Sequence, residues 1–158
     1  MIELMLAIMM LNVGILAIMG AFNSSAVAMA RASRTATATT LGEKQMELYR
    51  AQIYSNVALD AGATNLAESN ATYNSDTAYN ALQQEKTCAG TPSAVAPQCN
   101  PMRSVTGPDG RSYRIDTYIV HYTPNFGRAV KKVTVVVRQT SPLKTLARLS
   151  STFDQSTG

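Results

Sequence analysis

The first 22 residues, MIELMLAIMMLNVGILAIMGAF, hold one charge, Glu3, in a run that is otherwise almost wholly apolar. A helix of that length reaches ~33 Å at ~1.5 Å per residue, about one bilayer core. Carrying a carboxylate into such surroundings costs several kcal/mol unless a cation meets it. Glu3 therefore either sits in a headgroup zone or finds a positive group. A signal peptide also contains an apolar run, but it opens on a basic segment and closes on a small-residue cleavage site. Here the first basic residue is Arg31, and the helical pattern runs on past Phe22. Those two departures favour an anchor or assembly helix over a cleaved signal.

No proline occurs before Pro92, and Ala, Leu, Met, Glu, Gln and Arg dominate from Ile2 to about Ala58. That composition predicts a single helix. Residues 1–22 are apolar all round, as expected for a membrane-spanning segment or the centre of a helix bundle, and 23–58 read as the amphipathic half of the same helix. Residues 23–40 are mostly Ala, Ser and Thr, small enough to permit close helix–helix approach. Beyond them Leu41, Met46, Leu48, Tyr49, Ile53 and Val57 recur at helical spacing, a stripe expected to cover a sheet. A helix to residue 58 would be ~87 Å long. A chain of 158 residues cannot bury all of it, so the apolar half is expected to protrude and find partners. Gly14 and Gly20 interrupt that half, with Asn12 nearby. They are either notches for close packing or soft points where the helix can stretch.

Residues 59–110 read as a variable αβ-loop. A short helix over Asp76–Glu85, with Asp76 as its N-cap, is the expectation there. Cys88 and Cys99 enclose a loop containing Gly90, Pro92 and Pro97, which a disulfide would staple outside the cytosol. Two Cys with a single distant His, His121, make a poor metal set. From Arg111 the period becomes two: Tyr113, Ile115, Thr117, Ile119 and His121 alternate with Arg114, Asp116, Tyr118, Val120 and Tyr122. Lys131–Gln139 and Thr145–Phe153 continue the pattern after the TPNFG loop and the Ser141-Pro142 break. Residues 111–158 thus predict an antiparallel β-sheet and a C-terminal tail. The fold class is α+β: a long N-terminal helix packed on an antiparallel sheet of three to four strands.

Charge is uneven. Residues 23–99 carry five basic and six acidic side chains, whereas 100–158 carry nine basic and three acidic. A basic half can attract DNA, anionic glycans or acidic neighbours, and Arg111, Arg114, Lys131 and Lys132 are the candidate polyanion contacts. The bland alternative is a solvated strand face. Arg31 and Arg34 after the apolar run would by themselves point to the cytoplasm, against the disulfide. No phosphate-binding or dinucleotide-binding glycine loop occurs. His121 has no evident partner in the sequence, and Tyr113, Tyr118 and Tyr122 suit packing across a sheet better than base stacking. The expectation is a chain with no catalytic residues, no cofactor and no metal.

One charge, Glu3, at the start of an apolar helix, an amphipathic continuation and a C-terminal antiparallel sheet together resemble the type IV pilin superfamily, which includes the pseudopilins of type II secretion. The residues that carry the likeness are Ile2-Glu3-Leu4 and the following LAIMMLNVGILAIMG. They look like the segment after a prepilin peptidase site, usually a Phe/Met-Thr-Leu-Ile-Glu start. VGILAIMGAF is similar to the corresponding stretch of some minor pilins and pseudopilins. In the family the Glu is the fifth mature residue, whereas here it is the third. Either two mature residues precede Met1, or Met1 stands where a Leu is usual.

The resemblance implies the type IV pilin fold and a structural subunit of a type IV pilus or pseudopilus, methylated at its N-terminus. The N-terminal helices would bundle as the filament core, with the head domain on the surface. Glu3 would set subunit register by pairing with the N-terminal amine of a neighbour. Gly14 and Gly20 lie about where pilins soften the helix. The implied partners are the chain itself as a helical homopolymer, other pilins, the prepilin peptidase, the pilus assembly platform and the inner membrane before assembly. The implied location is then the cell surface, or the periplasm for a pseudopilus. The alternative is a single-pass membrane-anchored extracytoplasmic binding domain that never polymerises and recognises polyanions such as DNA.

Overall fold

The structure is a computed structural model that describes residues 2–88, 96–124 and 127–157. The loop residues 89–95, including Gly90 and Pro92, lie outside the described residues, as do Met1 and part of the TPNFG loop. The chain divides into two units, residues 1–35 and 36–158.

One helix, α1, runs over Ile2–Arg50. In the first unit the hydroxyls of Ser25 and Thr35 donate to the carbonyls of Ala21 and Arg31, four residues back, at 2.9 and 3.1 Å. Such back-bonding satisfies a hydroxyl inside the helix itself, which suits an apolar setting.

In the second unit α1 buries Ala38, Gly42, Gln45, Met46 and Tyr49, a spacing that marks one helical face. The helix stops at Arg50 rather than at the predicted Ala58. Ile53 is 59 % exposed and not part of the stripe. A 3₁₀ turn over Tyr54–Asn56 follows, and then Val57–Asp60 runs buried. There the backbone is spoken for elsewhere: Leu59 N–H donates to Glu85 O at 2.9 Å, Cys88 N–H to Leu59 O at 3.0 Å, and Asp60 N–H to Cys99 O at 2.8 Å. The Lys131 ammonium donates to the carbonyls of Tyr54 and Val57 at 3.2 and 2.9 Å. Those groups would be committed to the helical ladder if α1 continued, so tertiary pairing overrides the composition.

Four strands follow, β1 Met102–Thr106, β2 Ser112–Tyr122, β3 Val130–Thr140 and β4 Leu143–Asp154. They form one antiparallel sheet in the order β1-β2-β3-β4. This is the expected α+β arrangement, a long N-terminal helix on an antiparallel sheet. β1 lies in the stretch read from sequence as loop. The β1–β2 connection closes by Gly107 N–H to Arg111 O at 2.8 Å, with Gly110 at φ 70°, a backbone region that glycine enters without strain. One face of the sheet presents Tyr113, Ile115, Ile119, Val133, Val135 and Val137 to Met46 and Tyr49 of α1 and to Val57 and Leu59.

The opposite face is also covered. Helices α2, Ala61–Glu68, and α3, Ala71–Asn74, place Ala67 and Tyr73 against Tyr118 and Val136. Asp60 and Asn70 cap them by accepting from Ala63 N–H and from Thr72 and Tyr73 N–H. The expected helix over 76–85 is absent. Asp76 caps only a turn, accepting from Ala78 N–H at 2.9 Å. The chain then runs beside β2, where Glu85 N–H donates to Ile119 O and His121 N–H to Gln83 O. The pairing of β1 with β2 ends at Asp116, so residues 83–85 take up β2 backbone groups beyond it.

Cys88 and Cys99 are joined by a disulfide, with Cα atoms 5.8 Å apart.

Candidate functional site

Every described residue from 2 to 33 is exposed. The large side chains stand open along the whole run, Ile2 at 79 % and Phe22 at 73 % among them. α1 contains a segment long and apolar enough to cross a membrane. Glu3 lies in the first helical turn, where a negative charge complements the helix dipole, and it has no ion pair among the described residues. A Cβ added at Gly14 or Gly20 would meet nothing within 4 Å. Neither glycine is a packing notch among the described residues, so any such role belongs to a neighbour.

The four candidate polyanion contacts do not come together. Arg111 sits in the β1–β2 turn, exposed and 3.9 Å from Asp109 Oδ2. Arg114 is mostly buried and grips Asp116 with two bonds, Nε to Oδ1 at 2.8 Å and Nη2 to Oδ2 at 2.9 Å. Lys131 is buried, 3.5 Å from Glu85 Oε1 and 4.9 Å from the Tyr54 ring centroid. Lys132 is exposed. Although adjacent in sequence, Lys131 and Lys132 point to opposite faces of β3, as successive strand residues must. Two of the four cations are thus committed to internal carboxylates, and the set is not a patch.

Sequence reasoning missed the charge network to which Arg114 belongs. Asp116, whose side chain is fully buried, also accepts from Arg138 Nε at 2.8 Å. Arg138 Nη2 reaches Asp76 Oδ2, and Nη1 donates to Thr145 Oγ1 at 2.6 Å. Arg148 Nη2 donates to both Asp76 oxygens at 2.8 Å. Three guanidiniums and two carboxylates alternate across β2, β3, β4 and the 75–78 turn. Burial alone would raise the Asp76 carboxyl, but the Ala78 N–H and the guanidiniums of Arg148 and Arg138 outweigh it and hold it below its usual range. Burial opposes the Arg138 charge, yet Asp116 overcomes it and pushes the pKa up. The available sequence signal was parity: Asp116, Tyr118, Val136 and Arg138 share one face, and the register pairs Asp116 with Val136.

His121 is half-exposed and stands 3.5 Å from Glu85 Oε2, a partner distant in sequence. Tyr113 and Tyr118 are buried, whereas Tyr122 is 52 % exposed. Tyr118 stacks on Tyr73 at 4.5 Å, and burial pushes both phenols up. Among the described residues no three His, Cys, Asp or Glu side chains come together to hold a metal ion. No family model, no curated protein and no solved structure matches the chain.

Proposed function

We propose that this chain is a pilin-like structural subunit, held in the inner membrane by α1 and then polymerised into a type IV pilus or pseudopilus. The observation that carries this reading is the uncovered apolar stretch of α1, with Glu3 as its one carboxylate. So large an apolar surface needs lipid or protein against it. Lipid alone would place Glu3 in the headgroup zone, where it needs no specific partner and sets no register. A bundle of identical helices supplies both an apolar surrounding and a cation, the N-terminal amine of the next subunit. A buried ion pair of that kind is a weak source of net stability but a strong source of register, because a shifted neighbour leaves an unpaired charge. The second unit would then form the filament surface, with the prepilin peptidase and an assembly platform as separate partners.

The alternative, a membrane-anchored binding domain that never polymerises, uses the same helix but gives Glu3 no task. Mass spectrometry of protein sheared from the cell surface separates the two. A methylated N-terminal peptide in the shear fraction, lost from it on Glu3→Ala while the membrane pool persists, is the expected result. Retention of the chain in the membrane fraction alone would refute a surface pilus, the absence of crosslinked multimers there as well would refute polymerisation, and normal filament yield from Glu3→Ala would refute the role given to Glu3.

A further inference from the structure

Where α2 and α3 leave the sheet uncovered, a groove of about 420 Å³ opens between residues 77–80 and the strands. Ligand sites commonly fall in the range of ~300–1,000 Å³. Its floor is Thr134 and Ser150, register partners on β3 and β4 whose hydroxyls stand 3.3 Å apart. Tyr79 and Asn80 form one wall, and the Tyr79 ring is braced edge-on against Tyr73 at 5.9 Å. Lys132 lies two residues before Thr134 on β3, and Arg148 two before Ser150 on β4. Because the strands are antiparallel, the two cations flank the hydroxyl pair on opposite sides, ~13 Å apart along the strands at ~3.3 Å per residue.

The charge in the groove is only partly spent. Lys132 is exposed and has no ion pair or hydrogen bond among the described residues. The Arg148 side chain is 41 % exposed and commits Nη2 alone, to Asp76, which leaves Nε and Nη1 without a partner among the described residues. No acidic side chain lines the groove among the described residues. The remaining lining groups are neutral hydroxyls, an amide and an aromatic ring, which match the alternating donors, acceptors and C–H faces of a sugar. A nucleic-acid strand would set further phosphates between the two cations, opposite the Thr134 and Ser150 hydroxyls, where no cation meets them, whereas a glycan can carry neutral sugars there.

We propose that this groove binds a segment of an acidic polysaccharide, with sugar carboxylates on Lys132 and Arg148 and ring hydroxyls on Thr134, Ser150 and Asn80. The site lies wholly in the second unit and stands whether or not the chain polymerises. The test is a titration of the full chain in detergent micelles with hyaluronan oligosaccharides, which carry a carboxylate on every second sugar. Saturable binding is expected at low salt, weakening toward physiological ionic strength. Lys132→Gln is expected to weaken it about tenfold, the loss of one charge-assisted contact, with the melting temperature unchanged. Neutral dextran should not bind. Failure to bind hyaluronan, binding unaffected by Lys132→Gln, or equal affinity for a single-stranded DNA oligomer would each overturn the proposal.

Discussion

The hydroxyl of Tyr49 on α1 donates to the carbonyl of Gln98 at 2.6 Å, the residue beside the disulfide-bonded Cys99. Gln45, one turn earlier, donates to the carbonyl of Pro97 at 2.9 Å. The last turns of α1 therefore hold the segment leading into Cys99 as well as the sheet. Tyr49→Phe keeps the ring in the core but leaves the Gln98 carbonyl without that donor. The expected cost is roughly 1–3 kcal/mol, measured by urea unfolding. Burial pushes the Tyr49 phenol from 10.0 to about 12. Its contribution is complete below pH 10 and is lost as the pH climbs toward 12, because the folded state holds the proton more tightly than the unfolded one. Tyr49→Phe should flatten the fall in stability across that window.

The Arg138 network makes the opposite demand on pH. Arg138 joins two buried carboxylates, Asp116 and Asp76, so Arg138→Met leaves both short of positive charge. A loss of about 3–5 kcal/mol is expected. Asp76 is held below its usual pKa. A carboxylate with a depressed folded pKa stabilises above its unfolded pKa, and that stability disappears as the pH falls through the folded value. The second unit should lose stability below about pH 4, and Asp76→Asn, less stable at neutral pH, should show a shallower acid slope. An unchanged slope would mean that Asp76 is not the group being titrated.

Much of this fold was legible in the sequence, because its signals are local. The period-two runs around Ile115–Ile119 and Val133–Val137 fix the meander, and Met46 and Tyr49 of the predicted stripe mark the side of α1 that meets it, whereas Ala38, Gly42 and Gln45 on that face carried no apolar signal and Ile53 is exposed. What failed was non-local. The end of α1 is set by Lys131, distant in sequence, taking the carbonyls of Tyr54 and Val57. The 76–85 segment reads as helix by composition yet is drawn out by Arg138, Arg148 and the uncovered edge of β2. The basic half misled for the same reason: Arg114, Lys131 and Arg138 are countered by Asp116, Glu85 and Asp76, acids that only the folded register brings to them. The apolar helix with its lone Glu3 was read from composition alone, since it needs no contact within the chain.

Lys131 and Lys132 give a direct comparison of a structural and a surface cation. The Lys131 ammonium is buried, with two carbonyls and Glu85 around it. Lys131→Met should destabilise the second unit by about 3 kcal/mol, since it strips the partly exposed Glu85 carboxylate of a cation and two carbonyls of their donor. Lys132→Gln should change stability by less than about 0.5 kcal/mol. Thermal melts of the two variants side by side distinguish the roles, and equal losses would contradict the assignment of Lys132 to the surface.

The glycines of α1 should divide by neighbourhood. At Gly42 a Cβ would come within 2.5 Å of Leu149 Cδ1 and 3.3 Å of Val137 Cγ2. The half-buried Leu149 methyl can swing aside, but buried Val137 is β-branched and stiff. Gly42→Ala gains about 1 kcal/mol in helix propensity and meets an overpacking cost of about 1–3 kcal/mol, so a small net loss is expected. Gly42→Leu, which cannot be absorbed by one methyl shift, should unfold the α1–sheet packing. At Gly14 and Gly20 a Cβ meets nothing within 4 Å, so alanine there should leave the melting of the second unit untouched and raise the helicity of the first. If those positions receive a neighbouring helix, Gly14→Ala and Gly20→Ala will lower filament yield without lowering the membrane pool. Unchanged filament yield in both would mean that close approach at the glycines plays no part in assembly, and a drop in second-unit stability would mean that they contact this chain after all.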